Sequence, residues 1–372
     1  MIKIVHIVLG KANPNRMNGV NKVVHNLAST QVRLGHQVIV IGLTNSFDED
    51  HTIKRNYSLN LYTRKKYFLD NKLVEDIKKF DKNTIFHIHG GFIIDFYSIS
   101  KMLYNLNHRY IFTSHGAYNK EAMNKRSLIK NIFFNLFDKK ILERAWKVQF
   151  LGKSEYLHID NLTTKINKVL IPNGQNLDEL KFDFYQINSK NKPIFGFVGR
   201  IDSHTKGLDL LLKAFNIYKK EKGSGELWIV GDGPDLNDLK KVSEINNLAN
   251  SVVFYGSKFG NEKLNLLSNM DVFVHTSRFE GFPMAVLEAA GLRKPLLISK
   301  ETNFENYVEE FNCGLILKEN NSNEIKDKLH QFQNILLSDE LHIMGEKSYQ
   351  MIKQHFSWEK INNELIEEKK WK

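Results

Sequence analysis

Two pairs of charged residues carry the first chemistry that this chain suggests. Glu280 and Glu288 flank the stretch Gly-Phe-Pro-Met-Ala-Val-Leu, a turn followed by a helix-forming apolar run. Carboxylates accept hydrogen bonds from sugar hydroxyls, and Pro283 suits the first turn of a helix. An expected strand over 271–277 would end before Arg278, the chain would turn to Gly281, and Glu288 would lie one to two turns into the helix. Its side chain would tilt back toward the helix start, where Glu280 faces. Backbone amides near Gly281 and Phe282 would be open there. The plainer reading is a helix whose early glutamates only complement its dipole.

The second pair is Arg200 and Lys206 in Val-Gly-Arg-Ile-Asp-Ser-His-Thr-Lys-Gly. Arg200 leaves a strand end, and Lys206 with Gly207 precedes the run Leu-Asp-Leu-Leu-Leu-Lys-Ala-Phe. A bidentate guanidinium and a point-charge ammonium suit a diphosphate. Two surface cations at a domain edge is the alternative. Near the start, Gly19 precedes a helix whose N-terminal amides suit a phosphate. No G-x-G-x-x-G accompanies it, which argues against a nicotinamide or flavin dinucleotide.

These residues need a scaffold. Short β-branched runs alternate with amphipathic stretches, with strands expected at 2–9, 36–42, 84–90, 109–115 and 168–174. After a polar stretch at 188–193, a second series runs at 194–200, 226–233, 251–257, 271–277, 294–300 and 313–318. Continuous apolar strands of this kind predict parallel sheets covered on both faces. Ligands of such sheets bind beyond the carboxyl ends of the strands, where all four charged residues fall. The expected division is a Rossmann-like domain over 1–190, a second over 191–355, and a final amphipathic helix over 356–372.

The 372 residues exceed what one core usually organises, and 42% apolar with 26% charged residues is globular composition. One cysteine, Cys313, cannot make an internal disulfide, and no apolar run spans a bilayer. Both point to a reducing, cytoplasmic setting, with the opening Met-Ile-Lys-Ile-Val-His-Ile-Val-Leu-Gly read as a buried strand rather than a signal peptide. The net charge of +11 is one-sided, because residues 1–190 hold 29 Lys and Arg against 16 Asp and Glu, or +13, and the rest sum to −2. That excess suits an anionic partner or a solvated lysine-rich surface. Residues 124–147 mix cations with Phe133, Phe134, Leu136 and Phe137, and read either as a basic helix lying on an anionic membrane or as core packing with solvated lysines. No nucleic-acid motif accompanies the basicity, so no nucleic-acid partner is expected.

Two metal patterns read as bland. Asp48-Glu49-Asp50 is formally D-x-D but sits in an acidic loop with no phosphate motif nearby. His87 and His89 share a strand face, yet the sequence offers no third ligand beside them.

Taken in order, Asn-Gly-Val, Thr-Ser-His-Gly, Ile-Pro-Asn-Gly, Val-Gly-Arg-Ile-Asp-Ser-His-Thr-Lys-Gly, Val-Gly-Asp-Gly-Pro and Phe-Glu-Gly-Phe-Pro-Met-Ala-Val-Leu-Glu-Ala-Ala resemble the retaining glycosyltransferases of family four, over nearly the whole chain. The resemblance implies a GT-B α/β fold, two Rossmann-like domains with parallel sheets facing a central cleft. It implies a nucleotide-sugar donor on the second domain, with Glu288 holding the ribose and Glu280 the transferred sugar. It further assigns Arg200 and Lys206 to the diphosphate, Gly19 to the phosphates, His115 to the sugar site, and Ser257 with Lys258 to the base. Gly281, Phe282, Met284 and Ala285 complete the donor-binding set. Asn18 stands where the family often has the first of two glycines, and Pro283 replaces a frequent glycine and its amide.

The expected activity is transfer of a hexose, UDP-linked by preference, to a glycan acceptor that is plausibly lipid-linked, in bacterial surface-polysaccharide assembly. No metal or other cofactor is expected, and the setting is cytoplasmic with peripheral membrane contact. A sugar phosphorylase, a disaccharide-phosphate synthase and a non-catalytic glycan- or membrane-binding protein stand as alternatives.

Overall fold

A computed structural model describes residues 1–15, 19–47, 53–65, 68–124, 127–180 and 192–366. They divide into two compact units, Met1–Gly174 with Trp358–Lys372, and Gln175–Ser357.

The first unit contains β1 (Lys3–Leu9), β2 (Gln37–Thr44), β3 (Ser58–Thr63), β4 (Ile85–His89), β5 (Arg109–Thr113), β6 (Lys147–Phe150) and β7 (Lys168–Leu170). They form one parallel sheet in the order β3-β2-β1-β4-β5-β6-β7. Its core joins inward strand residues such as Val5, Ile7, Phe86, Ile88 and Phe112 to helix residues Phe96, Ile99 and Leu103, all fully buried. Burying each such side chain is worth roughly 1.5–3 kcal/mol. β3 and β6 were not among the expected strands. β3 is a short edge strand of alternating burial, and β6 is four residues long with buried Lys147 and Gln149 interrupting its apolar pattern.

Lys147 is tolerated inside because its Nζ donates to the carbonyl of Leu365, 3.0 Å away, near the end of the helix Trp358–Ile366. A helix C-terminus is where unpaired carbonyls and the negative dipole end favour a cation. Trp358, at the other end of that helix, is buried over Gly174, whose added Cβ would sit 2.7 Å from the indole.

The second unit contains β8 (Ile194–Val198), β9 (Glu226–Val230), β10 (Val252–Gly256), β11 (Val272–His275), β12 (Leu296–Ser299) and β13 (Gly314–Leu317), again all parallel, ordered β10-β9-β8-β11-β12-β13. Both sheets reverse their strand order beside the first strand, at β1/β4 and at β8/β11. Such switch points open a crevice at the carboxyl edge.

The units divide at Gly174, before the polar stretch where the sequence suggested a boundary. Leu177 and Leu180, in a short turn just after it, pack on Gly291 in the helix Met284–Gly291 of the second unit. That apolar contact ties the start of the second unit to its helix Met284–Gly291. Within 124–147, the helix Ser127–Phe133 passes through a π-helical turn at Phe134–Asp138 into the helix Lys139–Arg144, and Lys147 already belongs to β6. Asp138 is buried in that turn, accepting from the Phe92 amide at 2.9 Å and the Tyr118 hydroxyl at 2.8 Å.

Candidate active site

In the second unit the chain beyond β11 carries the densest polar construction. Glu280 Oε1 accepts from Lys206 Nζ, from His275 Nε2 at 2.9 Å and from Ser277 Oγ at 2.9 Å. Burial, the largest single influence, would raise the pKa of this carboxyl, but the Lys206 ammonium and His275 together outweigh it and hold it at about 2. Glu280 is therefore an anion at neutral pH. His275 is buried between Phe197 and Phe273, and burial lowers its pKa against the pull of Glu280. It serves as a neutral donor through Nε2.

Lys206 reaches this carboxylate because Gly207 lets the backbone close on β11. Gly207 has φ +65°, and an added Cβ would lie 2.1 Å from the carbonyl oxygen of Thr276. Only glycine adopts that geometry without a clash. Thr276 Oγ1 lies 3.1 Å from the carbonyls of both Lys206 and Gly207, and Arg278 grips Asp209 with two nitrogens at 2.8 and 2.7 Å. Asn303 Nδ2 donates to the carbonyls of Glu280 and Gly281, and Asn320 Nδ2 to those of Thr276 and Ser277. The loop is pinned from three sides, which is what preorganisation of a charged site requires.

Glu288 lies in the second turn of the helix Met284–Gly291, buried, with Lys263 Nζ 2.8 Å from Oε1 and 2.7 Å from Oε2. Each glutamate of the pair thus has its own lysine. Pro283 takes the N-cap in extended conformation, one step before the first-turn position expected for it. The leading amides of the helix are those of Met284 and Ala285. Phe282 is buried, stacked on Phe304 with centroids 4.0 Å apart, so its ring belongs to the core and only its backbone is offered to a ligand. Arg200 is exposed just beyond β8, and Ser257 is exposed just beyond β10. Lys258 lies 3.3 Å from Glu262.

The first unit builds a different cluster within its own sheet, which reaches the carboxyl edge at His89 and His115. His6 in β1 pairs in register with His87 in β4, and His6, His87 and His89 are buried with ligand atoms within 4.8 Å of one another. The third imidazole that the sequence did not offer is His6, eighty residues away and brought alongside by strand order. His115 follows β5 at φ +57°, in a loop held by the buried Glu155. That carboxylate accepts from Ser114 Oγ at 2.7 Å and from the amides of Gly116 and Tyr118 at 3.1 and 2.8 Å. Gly19 opens the helix Gly19–Arg33 and is exposed; Asn18 and Asp48-Glu49-Asp50 lie outside the described residues.

Sequence reasoning missed Lys263, His275, Gln31, His6 and Glu155. Only His275 had a local signal, as the last residue of a strand that feeds the Glu280 loop.

Two family models cover most of the chain. The one described as Glycosyltransferase Family 4 matches residues 17–179, and the one described as Glycosyl transferases group 1 matches 179–354. An uncharacterized glycosyltransferase of Haemophilus influenzae is 26% identical over 361 residues, covering 95% of this chain and 96% of its own. The poly(ribitol-phosphate) alpha-N-acetylglucosaminyltransferase of Staphylococcus aureus is 27% identical over 227 residues, 56% of this chain and 45% of that one. Among solved structures, Anabaena HepE in complex with UDP-glucose superposes with a TM-score of 0.78 at 16% identity, covering 98% of both chains. WaaG, a glycosyltransferase involved in lipopolysaccharide biosynthesis, superposes with a TM-score of 0.70 at 14% identity, covering 98% of this chain and 99% of its own.

Proposed function

We propose, from the premise that this chain is a glycosyltransferase of the family 4 and group 1 kind with the GT-B fold, that it moves a hexose from a nucleotide-diphosphate sugar to a glycan acceptor with retention. The observation that carries this reading is the direct contact of Lys206 with Glu280 at the carboxyl edge of the second sheet. A cation fit for a phosphate there adjoins an anion fit for sugar hydroxyls. Glu288 on the following helix would take the ribose hydroxyls, sharing its carboxylate with Lys263, and the amides of Gly281, Phe282, Met284 and Ala285 would line the donor. Ser257 and Lys258 would meet the base.

As the bond from the anomeric carbon to the phosphate oxygen breaks, negative charge grows on the leaving diphosphate. Lys206 and Arg200 would stabilise that charge more than the ground state, which is what lowers a barrier. The acceptor hydroxyl attacks on the face the phosphate leaves, and its proton passes to the departing phosphate oxygen. This reading assigns no step to a metal.

UDP is the favoured nucleotide of the donor because HepE was solved with UDP-glucose and a relative is named for N-acetylglucosamine transfer. A lipid-linked acceptor, met at an anionic membrane surface, is supported by the apolar residues that the segment after Ser127 leaves in solvent: Leu128, Ile129, Ile132 and Leu136 are 52–73% exposed. Among the described residues no helix is long and apolar enough to cross a membrane. The test is a thermal-shift panel of nucleoside diphosphates and their sugars, with and without EDTA, since a ligand of the folded state raises the melting temperature. A shift confined to one base and indifferent to EDTA is expected, and no shift with any nucleotide would sink the donor assignment.

A further inference from the structure

The imidazoles of the first unit form a chain with an end. Gln31 Oε1 lies 2.7 Å from His6 Nε2, His6 Nδ1 lies 2.9 Å from His89 Nε2, and His89 Nδ1 lies 3.1 Å from His115 Nε2. A neutral imidazole has one N–H and one lone pair, so each link fixes the next. An amide oxygen can only accept. His6 must then carry its proton on Nε2 and accept at Nδ1 from His89 Nε2–H, and His89 must accept at Nδ1 from His115 Nε2–H. The chain leaves His115 Nδ1 as a lone pair. Reversed polarity would set the His6 Nε2 lone pair against the Gln31 oxygen at 2.7 Å, two acceptors facing each other.

The surroundings favour a neutral chain. Burial depresses the pKa of His6 to about 4 and of His115 to about 3, and holds His89 well below its usual range. His87 stands outside the chain, committed elsewhere: Gln149 Nε2 donates to Ile171, its Oε1 accepts from Thr113 Oγ1 at 2.6 Å, and Thr113 Oγ1 accepts from His87 Nε2 at 2.7 Å.

We infer that Gln31, His6 and His89 are positioning residues that hold His115 in its Nε2–H tautomer, so that Nδ1 accepts a hydrogen bond from a substrate hydroxyl. The inference rests on the reading of His115 as a substrate-contacting residue. Partners that fix the tautomer of a metal-bound imidazole are typically worth roughly 10- to 100-fold, which marks how strongly such a link can act.

Two-bond proton–nitrogen NMR correlations on ¹⁵N-histidine-labelled protein read each tautomer directly. His6, His89 and His115 are expected as Nε2–H forms in the wild type. Gln31→Leu should give His115 mixed tautomers and lower kcat by less than the roughly tenfold cost of losing the imidazole itself, with donor KM unchanged, and Gln31→Glu, which keeps an oxygen acceptor, should restore both. An Nδ1–H tautomer at His115 in the wild type, or an unchanged His115 in a folded Gln31→Leu protein, would overturn the inference. So would a joint shift of the His6, His87 and His89 signals on adding Zn²⁺, which would make the cluster a metal site. His115→Phe separates the underlying reading: wild-type kinetics in that variant would remove His115 from the substrate while the NMR result for the chain still stood on its own.

Discussion

The two units solve the same problem, presenting polar groups at the carboxyl edge of a parallel sheet, with opposite chemistry. In the second unit the edge is ionic: Glu280 with Lys206, and Glu288 with Lys263. In the first it is neutral, a chain of imidazoles ended by an amide. An ionic edge suits a partner that gains or loses charge, because buried paired charges respond strongly to a new one. A neutral edge suits hydroxyl groups, whose recognition depends on where lone pairs point. On the reading proposed above, charge stabilisation falls to the second unit and orientation to the first.

The largest expected effect breaks the ionic edge. Lys206→Ala removes the ammonium proposed to stabilise the leaving diphosphate and leaves the Glu280 carboxylate without its counter-charge, so kcat should fall by roughly 10²–10³. His115→Ala, on the neutral edge, should cost roughly tenfold. Steady-state kinetics at saturating donor measure both, and equal losses would erase the division of labour. Glu288→Gln should act on binding instead, weakening the donor about tenfold in Kd through the loss of charge-assisted hydrogen bonds. That penalty should vanish with a 2′,3′-dideoxy donor; if it persists, Glu288 does not hold the ribose.

The two edges should also come apart in acid at different pH values. The folded pKa of His6, about 4, lies below the unfolded value near 6.5, so the unfolded chain binds the extra proton first. Stability on the neutral edge is complete above pH 6.5 and falls as pH drops toward 4, by about 1.4 kcal/mol per pH unit for each such imidazole. Glu280 is likewise depressed, to about 2 from 4.5, and its contribution is present above pH 4.5 and lost as pH falls toward 2. Melting temperatures from pH 8 to 2 should therefore decline in two stages. Glu280→Gln should flatten the lower stage and leave the upper one; His6→Gln should flatten part of the upper one.

The same contrast explains what was legible beforehand. Glu280, Glu288, Arg200 and Lys206 announce themselves because each is a charged residue within a few positions of a strand end and a glycine, so their relation is local. Lys263 carries no such sign: it sits on the helix Gly260–Ser268 and meets Glu288, 25 residues further on, only through the fold. The imidazole chain depends on β1 lying between β2 and β4, a fact of sheet order rather than of spacing. His6 therefore reads as one more polar residue in an apolar strand. The strand rhythm exposed most of both sheets, while β3 escaped it as a mostly exposed edge strand and β6 through its buried polar side chains.

A smaller effect tests the exposed apolar patch of the first unit. The first half of the chain carries the net positive charge, and within it Leu128, Ile129, Ile132 and Leu136 are exposed beside Lys139 and Lys140 while Phe134 is buried. Apolar side chains that only served the core would not stand 52–73% in solvent. If they insert among lipid headgroups, each contributes apolar burial and the neighbouring lysines add attraction to anionic lipid. Replacing Leu128 and Ile132 with serine should then weaken binding to vesicles containing phosphatidylglycerol by about tenfold, with no loss of activity on a soluble acceptor. Raising salt should weaken wild-type and variant binding alike, because the lysines remain. A variant that binds these vesicles as the wild type does would reduce the patch to ordinary surface.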